Sequence, residues 1–207
     1  MKPPVANATL AAGPPRARVL WGAAGVVGFA VLTALGAQVA IPLPHTPVPM
    51  TLQTLVVLLA GVTLGPRLGL ASMAFYLLLG LAGHHVFAEN RWGLHTLVGC
   101  DGGYLLGFLL AQPVIGWFAR RPAESKPGAN RWAAWRSLLT GVVLGNVLIF
   151  GLGLLWLSQW LDVGVQETLA KGLWPFLVGD LLKMSLAIAA GRVILPHVRS
   201  ATRTTTP

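Results

Sequence analysis

Gly179-Asp180-Leu-Leu-Lys183-Met184 sets two ionisable side chains inside the apolar run from Leu173 to Leu195. At the centre of a membrane helix each such group costs about 2.5–3.5 kcal/mol on the insertion scale. At spacing i, i+3 the carboxylate and the ammonium share one helix face and partly neutralise each other. One reading is a structural intrahelical pair. The other is a polar pocket in which Asp180 accepts hydrogen bonds and Lys183 binds an anion, the usual meaning of ionisable groups at membrane depth. Counted from Leu173, Asp180 lies roughly 10 Å and Lys183 roughly 15 Å from the outer end of their helix. The pocket then opens outward, beneath the loops His84–Asp101 and Pro42–Pro49. It suits a small amphiphilic acid bearing amide-like donors.

Other chemistry is thin. None of the four lysines follows a glycine, so the chain has no Walker A sequence and no means of hydrolysing ATP itself. His-Glu-x-x-His and Gly-x-Ser-x-Gly are absent as well. His84, His85 and His95 share one loop with Glu89 and Asp101, but their irregular spacing reads as a solvated, hydrogen-bonding loop rather than a metal site. No metal, no cofactor and no catalytic residue is expected.

The elements that must hold Asp180 and Lys183 are membrane helices. Of 207 residues, 55% are hydrophobic and 10% charged, and mean hydropathy is +0.69. A soluble domain carries about a quarter charged residues. Charge-free stretches and proline breaks give six spans: Val19–Ala40, Thr51–Gly65, Leu68–Gly83, Gly102–Ala119, Ser137–Ser158 and Leu173–Ile194. The fold expected is an all-α polytopic membrane protein with six transmembrane helices. The second and third spans reach only roughly 23 Å against a hydrocarbon core of about 30 Å. Short segments bounded by Gly and Pro are tolerated where irregular backbone lines a cavity.

The net charge of +9 has a topological meaning. With the N-terminus inside, Lys2, Arg16, Arg18, Arg67, Arg120, Arg121, Lys126, Arg131, Arg136, Arg192, Arg199 and Arg203 are cytoplasmic, while Arg91 and Lys171 are outside. Both termini should therefore be cytoplasmic, and the excess is no sign of nucleic-acid binding. The first apolar run is too long for a cleaved signal peptide. Residues 1–18 read as a disordered cytoplasmic N-terminus, 19–195 as the membrane domain and 196–207 as a cytoplasmic tail. Cys100, alone, excludes an internal disulfide. Small residues recur at spacing four, as in Ala24/Gly28, Ala30/Ala34, Gly99/Gly103/Gly107 and Gly141/Gly145. Such pairs let helices approach closely, within the bundle or against a partner.

Taken in order, Ile41-Pro-Leu-Pro-His-Thr-Pro-Val-Pro-Met-Thr-Leu-Gln-Thr54, Leu64-Gly-Pro-Arg-Leu-Gly69, Val86-Phe-Ala88, Gly102-Gly-Tyr-Leu-Leu-Gly-Phe108 and Gly179-Asp-Leu-Leu-Lys183 resemble the BioY family. These are biotin-specific S components of energy-coupling-factor (ECF) transporters, and the likeness spans roughly Val19 to Ile194. The resemblance implies a subunit of the inner membrane that captures biotin from outside and releases it by toppling after docking. It implies as partners a transmembrane coupling protein (EcfT- or BioN-like) and two ATP-binding-cassette ATPases (EcfA- or BioM-like). Family contacts carry over to Asp180 and Lys183. They carry over also to Asn90, the one asparagine of the long outer loop, while Gln53, Phe87, Trp92, Tyr104 and Trp174 become candidate wall residues. Among the small residues of the first helix, the resemblance favours Ala30 and Ala34 as coupling-protein contacts. Two stretches depart from the family: His84-His85 replaces an apolar residue and proline, and Cys100-Asp101 replaces Pro-Thr. An S component or solitary carrier for another vitamin, and an intramembrane lipid-modifying enzyme, are the alternatives.

Overall fold

Long apolar stretches have few ways to satisfy their backbone in lipid, and helix is the one available to a single segment. In the computed structural model, which describes residues 15–121 and 131–203, these stretches become α1 (Pro15–Gln38), α2 (Gln53–Leu81), α4 (Gly102–Arg120), α5 (Arg131–Leu161) and α7 (Leu177–Arg203). Five helical segments are long and apolar enough to cross a membrane, which makes the chain a multi-pass membrane protein. Two short helices, α3 (Leu94–Leu97) and α6 (Val165–Gly172), complete the set. Of the expected N-terminal segment, residues 1–14, with Lys2, lie outside the described residues, as do 122–130, with Lys126, and 204–207. Helix α7 runs past the expected end of the membrane domain at residue 195, to Arg203.

The expected second and third spans form two helical arms, numbered together as α2, that meet at Gly65, where φ is 77° and ψ −173°. Only glycine adopts that combination readily. Pro66 then starts the second arm with a φ suited to a first helical residue. The break folds the helix back on itself. Gln53 Nε2 donates to Tyr76 Oη at 2.7 Å, whereas a straight helix would hold the two residues roughly 35 Å apart. Gly61 and Gly69, four residues on either side of the break, both abut Gln112 Oε1 of α4, at 3.1 and 2.7 Å from where a Cβ would stand.

Helix α2 is central, packed against α1, α4 and α7, and α4 packs against α5. The spacing-four glycines make the α4–α5 contact close. A Cβ on Gly103 would meet Leu152 O at 2.3 Å, one on Gly107 Ile149 Cα at 2.8 Å, and one on Gly145 Ile115 Cγ1 at 2.3 Å. These pairs serve packing within the bundle. Ala30 is fully buried in the core and Ala34 packs half-buried against it. Ala30 therefore faces the chain's own helices, while Ala34 is only partly covered. Gly28, on the same helix, has nothing within 4 Å of a Cβ position.

Four prolines between residues 42 and 49 deprive that loop of donors. Only its ends pair, as an antiparallel ladder of β1 (Ala40–Ile41) and β2 (Met50–Thr51) with Ala40 opposite Thr51. The last span also differs from expectation. Residues 174–176 form a 3-10 turn containing Pro175, and α7 starts only at Leu177. Asp180 consequently stands in the first turn of α7, closer to the helix end than a start at Leu173 implies. Proline's missing donor and the constraint it puts on the preceding residue account for the shift. Segment α6 read as loop because eight residues with few apolar positions carry little periodicity; its Glu167–Lys171 pair, at 2.6 Å, supports the turn.

Candidate binding site

The loop ends of the helices surround a partly open pocket of about 600 Å³, a volume that includes the solvent at its mouth. Its wall comes from every helix but α1 and α6. The 42–52 loop and the start of α2 supply Val48, Pro49, Thr51, Gln53 and Thr54; the 82–101 loop supplies Phe87, Ala88, Thr96 and Asp101. Tyr104, Leu105 and Phe108 enter from α4, Ile149 and Phe150 from α5, and Phe176, Asp180 and Lys183 from the α7 segment. The lining is largely aromatic and aliphatic with a few polar groups, the composition by which pockets grip an apolar body and orient its polar end.

Lys183 Nζ donates to Asp180 Oδ1 at 3.0 Å, with side chains 8% and 4% exposed. One carboxylate oxygen is thereby engaged, while Asp180 Oδ2 is buried without a partner among the described residues. A buried acceptor left open costs about 1–3 kcal/mol, so this atom is matched to something the protein alone does not provide. Its place in the first turn of α7 adds the favourable field of a helix N-terminus.

Gln53 reaches the cavity as part of a chain of hydrogen bonds. Thr51 Oγ1 donates to Gln53 Oε1 at 3.0 Å, Gln53 Nε2 to Tyr76 Oη at 2.7 Å, and Tyr76 Oη to Val86 O at 3.1 Å. The chain ties both arms of α2 to the base of the 82–101 loop. Tyr104 Oη donates to Gly172 O at 2.8 Å, fixing α4 to the end of α6. The Phe87 ring stands edge-on to Tyr76 at 5.6 Å and fills the space above Gly80, where a Cβ would lie 2.0 Å from it.

Not every expected residue arrives. Asn90 is exposed and takes a left-handed φ of 56° in the turn after Ala88, its backbone N–H donating to Gln38 Oε1 at 3.2 Å. Its side chain is spent on the outside of a tight turn that asparagine tolerates. Trp92 is exposed beside His85 and His95, with ring centroids 5.5 and 5.7 Å away. Trp174 is 58% exposed. Neither lines the cavity. Among the described residues no group of three metal-ligating side chains comes together.

Sequence reasoning missed the loop fastenings. Gln38 Nε2 donates to Phe87 O at 3.1 Å, holding the loop to the end of α1. Arg91 Nη2 donates to Asp101 Oδ2, and Arg91 Nε to Ala88 O at 3.1 Å. Burial pushes the Asp101 carboxyl above its ordinary range, an effect the Arg91 guanidinium offsets in part. Cys100 Sγ lies 3.6 Å from Pro47 O, where the two loops meet. Burial, reinforced by the Asp101 carboxylate, pushes its thiol up to about 11. At pH 8 about one thiol in a thousand is then ionised, and the thiolate is the reactive form. Folded protein in detergent should label slowly with a maleimide at pH 8 and rapidly once unfolded in dodecyl sulfate. Rapid labelling of the folded form would contradict this closed arrangement of the loops.

A family model for the BioY family matches residues 12–200. The chain belongs to the BioY family. A probable biotin transporter BioY of Pyrococcus horikoshii is 34% identical over 160 residues, covering 77% of this chain and 87% of that one. The biotin transporter BioY of Thermotoga maritima is 36% identical over 159 residues, covering 77% and 86%. A crystal structure of the S component for biotin from an ECF-type ABC transporter matches with a TM-score of 0.76 at 24% identity, over 88% of this chain and 94% of that one. The fold is therefore that of an S component, and BioY membership places the chain among transport proteins and not among enzymes.

Proposed function

We infer that this BioY-family chain captures biotin from outside the cell and serves as the substrate-binding S component of an ECF-type transporter. One observation carries the reading: an open, buried carboxylate oxygen on Asp180 beside Lys183, inside an apolar cavity. Biotin joins an apolar bicycle to a ureido group that donates two hydrogen bonds and accepts one. A carboxylate oxygen suits the N–H groups and an ammonium suits the oxygen. The names of the Pyrococcus and Thermotoga relatives point to the same substrate.

In this reading the two arms of α2 count as separate crossings, giving six, with both termini cytoplasmic. Support comes from Arg67, Arg120, Arg136 and Arg192, which belong to the helix ends opposite the cavity. The membrane is then the cytoplasmic membrane, and no cofactor takes part. Having no ATP-hydrolysing motif, the chain depends on a coupling protein and two ATP-binding-cassette ATPases for energy. Burial of Ala30 moves the candidate coupling-protein contact on α1 to its open side, near Ala24 and Gly28. The reading assigns no biotin contact to Asn90, Trp92 or Trp174.

Protein purified in detergent should bind labelled biotin tightly, and unlabelled thiamine or riboflavin should not displace it. Binding of either competitor in place of biotin would retain the transporter reading and replace its substrate. Binding of none of the three would remove both.

A further inference from the structure

Helix α5 carries two amides, Gln159 exposed near its end and Asn146 in the middle of its apolar run. Asn146 is 8% exposed. Its Nδ2 lies 3.2 Å from the Met184 thioether, a weak acceptor, and its Oδ1 is buried without a partner among the described residues. The side chain also interacts with the Asp180 carboxylate. Three and four residues further on, Ile149 and Phe150 line the cavity. Asn146 therefore sits one helical turn away on the same face, just beyond the residues that line the cavity and against Met184, the neighbour of Lys183.

Two buried acceptors thus stand open near Lys183: Asp180 Oδ2 and Asn146 Oδ1. Gln112, another amide buried in the bundle, also has an unpartnered Oε1, but its Nε2 is held by two backbone carbonyls, Val57 O and Phe108 O, at 3.1 and 3.0 Å. No backbone carbonyl holds Asn146 in that way.

We propose that Asn146 completes the floor of the substrate site, its Oδ1 accepting from one ureido N–H while Asp180 Oδ2 accepts from the other and Lys183 Nζ donates to the ureido oxygen. The proposal rests on the biotin reading above and names the residue that reads the second N–H. A flat group with one acceptor flanked by two diverging donors pairs all three protein atoms when Asp180 and Asn146 stand on opposite sides of Lys183 Nζ. A ligand with a single donor leaves one acceptor buried and open, which is how polar sites reject close analogues.

The test compares biotin with its two singly N-methylated ureido analogues, using the full chain in detergent. The variants are Asn146→Leu and Asn146→Ser, with exposed Gln159→Ala as a folding control. In wild type each methylation should weaken binding. In Asn146→Leu, biotin itself should bind about tenfold more weakly, as expected for one lost hydrogen bond. The penalty for one particular methylation should then largely vanish while the other persists. Asn146→Ser carries the same comparison if the leucine variant fails to fold. Tight wild-type biotin binding with both methylation penalties unchanged in the Asn146 variants overturns the assignment of Asn146 alone. A wild type that does not bind biotin overturns it together with the substrate reading.

Discussion

Purified Asp180→Ala protein is expected to bind biotin about a hundredfold more weakly than wild type, or not measurably, because hydrogen bonds to a charged group contribute about 1.5–3 kcal/mol each. The variant also leaves the Lys183 ammonium buried and unpaired, and breaking a buried pair from one side costs about 3–5 kcal/mol of stability. Lost affinity in that variant alone thus mixes two causes. Asp180→Asn combined with Lys183→Met separates them, since it removes both charges and leaves neither uncompensated. The double variant should regain most of the unfolding midpoint lost in either single one, while its Kd for biotin stays weak. A pair that served structure alone would recover both. Recovery of biotin affinity in the double variant, measured by titration beside the thermal midpoint, would refute the site.

Gly65→Ala is expected to be the most damaging substitution outside the cavity. Its backbone, φ 77° and ψ −173°, costs a residue with a Cβ about 1–3 kcal/mol. The added methyl group would also stand 2.0 Å from Arg120 Nε, and Arg120 Nη2 donates to Leu64 O across the same turn. Displacing the guanidinium removes that bond, so a total loss of about 2–4 kcal/mol follows. The effect should reach the site. Gln53 and Tyr76 meet only because the two arms of α2 run side by side, and their hydrogen bond holds one wall of the cavity. A lowered thermal midpoint accompanied by weaker biotin binding supports this coupling; an unchanged midpoint would show that the turn tolerates a side chain.

The two predictions differ in how visible their residues are in the sequence. Asp180 and Lys183 are conspicuous because the membrane makes charge costly, so their positions within Leu173–Leu195 single them out without coordinates. Gly65-Pro66 reads as a break for similar local reasons. Gln53 and Tyr104 entered through family resemblance, and the fold brings both to the cavity wall. Asn90, Trp92 and Trp174 entered the same way and lie outside it. Their placement depends on the course of the 82–101 loop, with its left-handed Glu89 and Asn90, and no periodic signal encodes such a path. Asn146 had a signal of its own, an amide inside a charge-free run, but the meaning of that amide depends on Met184 and Asp180 across the helix interface.

Burial along α1 makes the same point. Ala24/Gly28 and Ala30/Ala34 are equivalent as spacings, and only the packing of α2 and the core shows that Ala30 is covered while Gly28 is open. By itself the sequence determined what solvent energetics determines: helices where charge is absent, breaks where glycine and proline stand, a basic bias among the connecting segments, and one expensive ion pair. Such effects are local or one-dimensional, so they are written in order along the chain. The tertiary structure alone decided which polar atoms remain unsatisfied, which loops fasten to each other, and which small residues face outward. Each of these is a relation between residues far apart in sequence, fixed only when the helices pack.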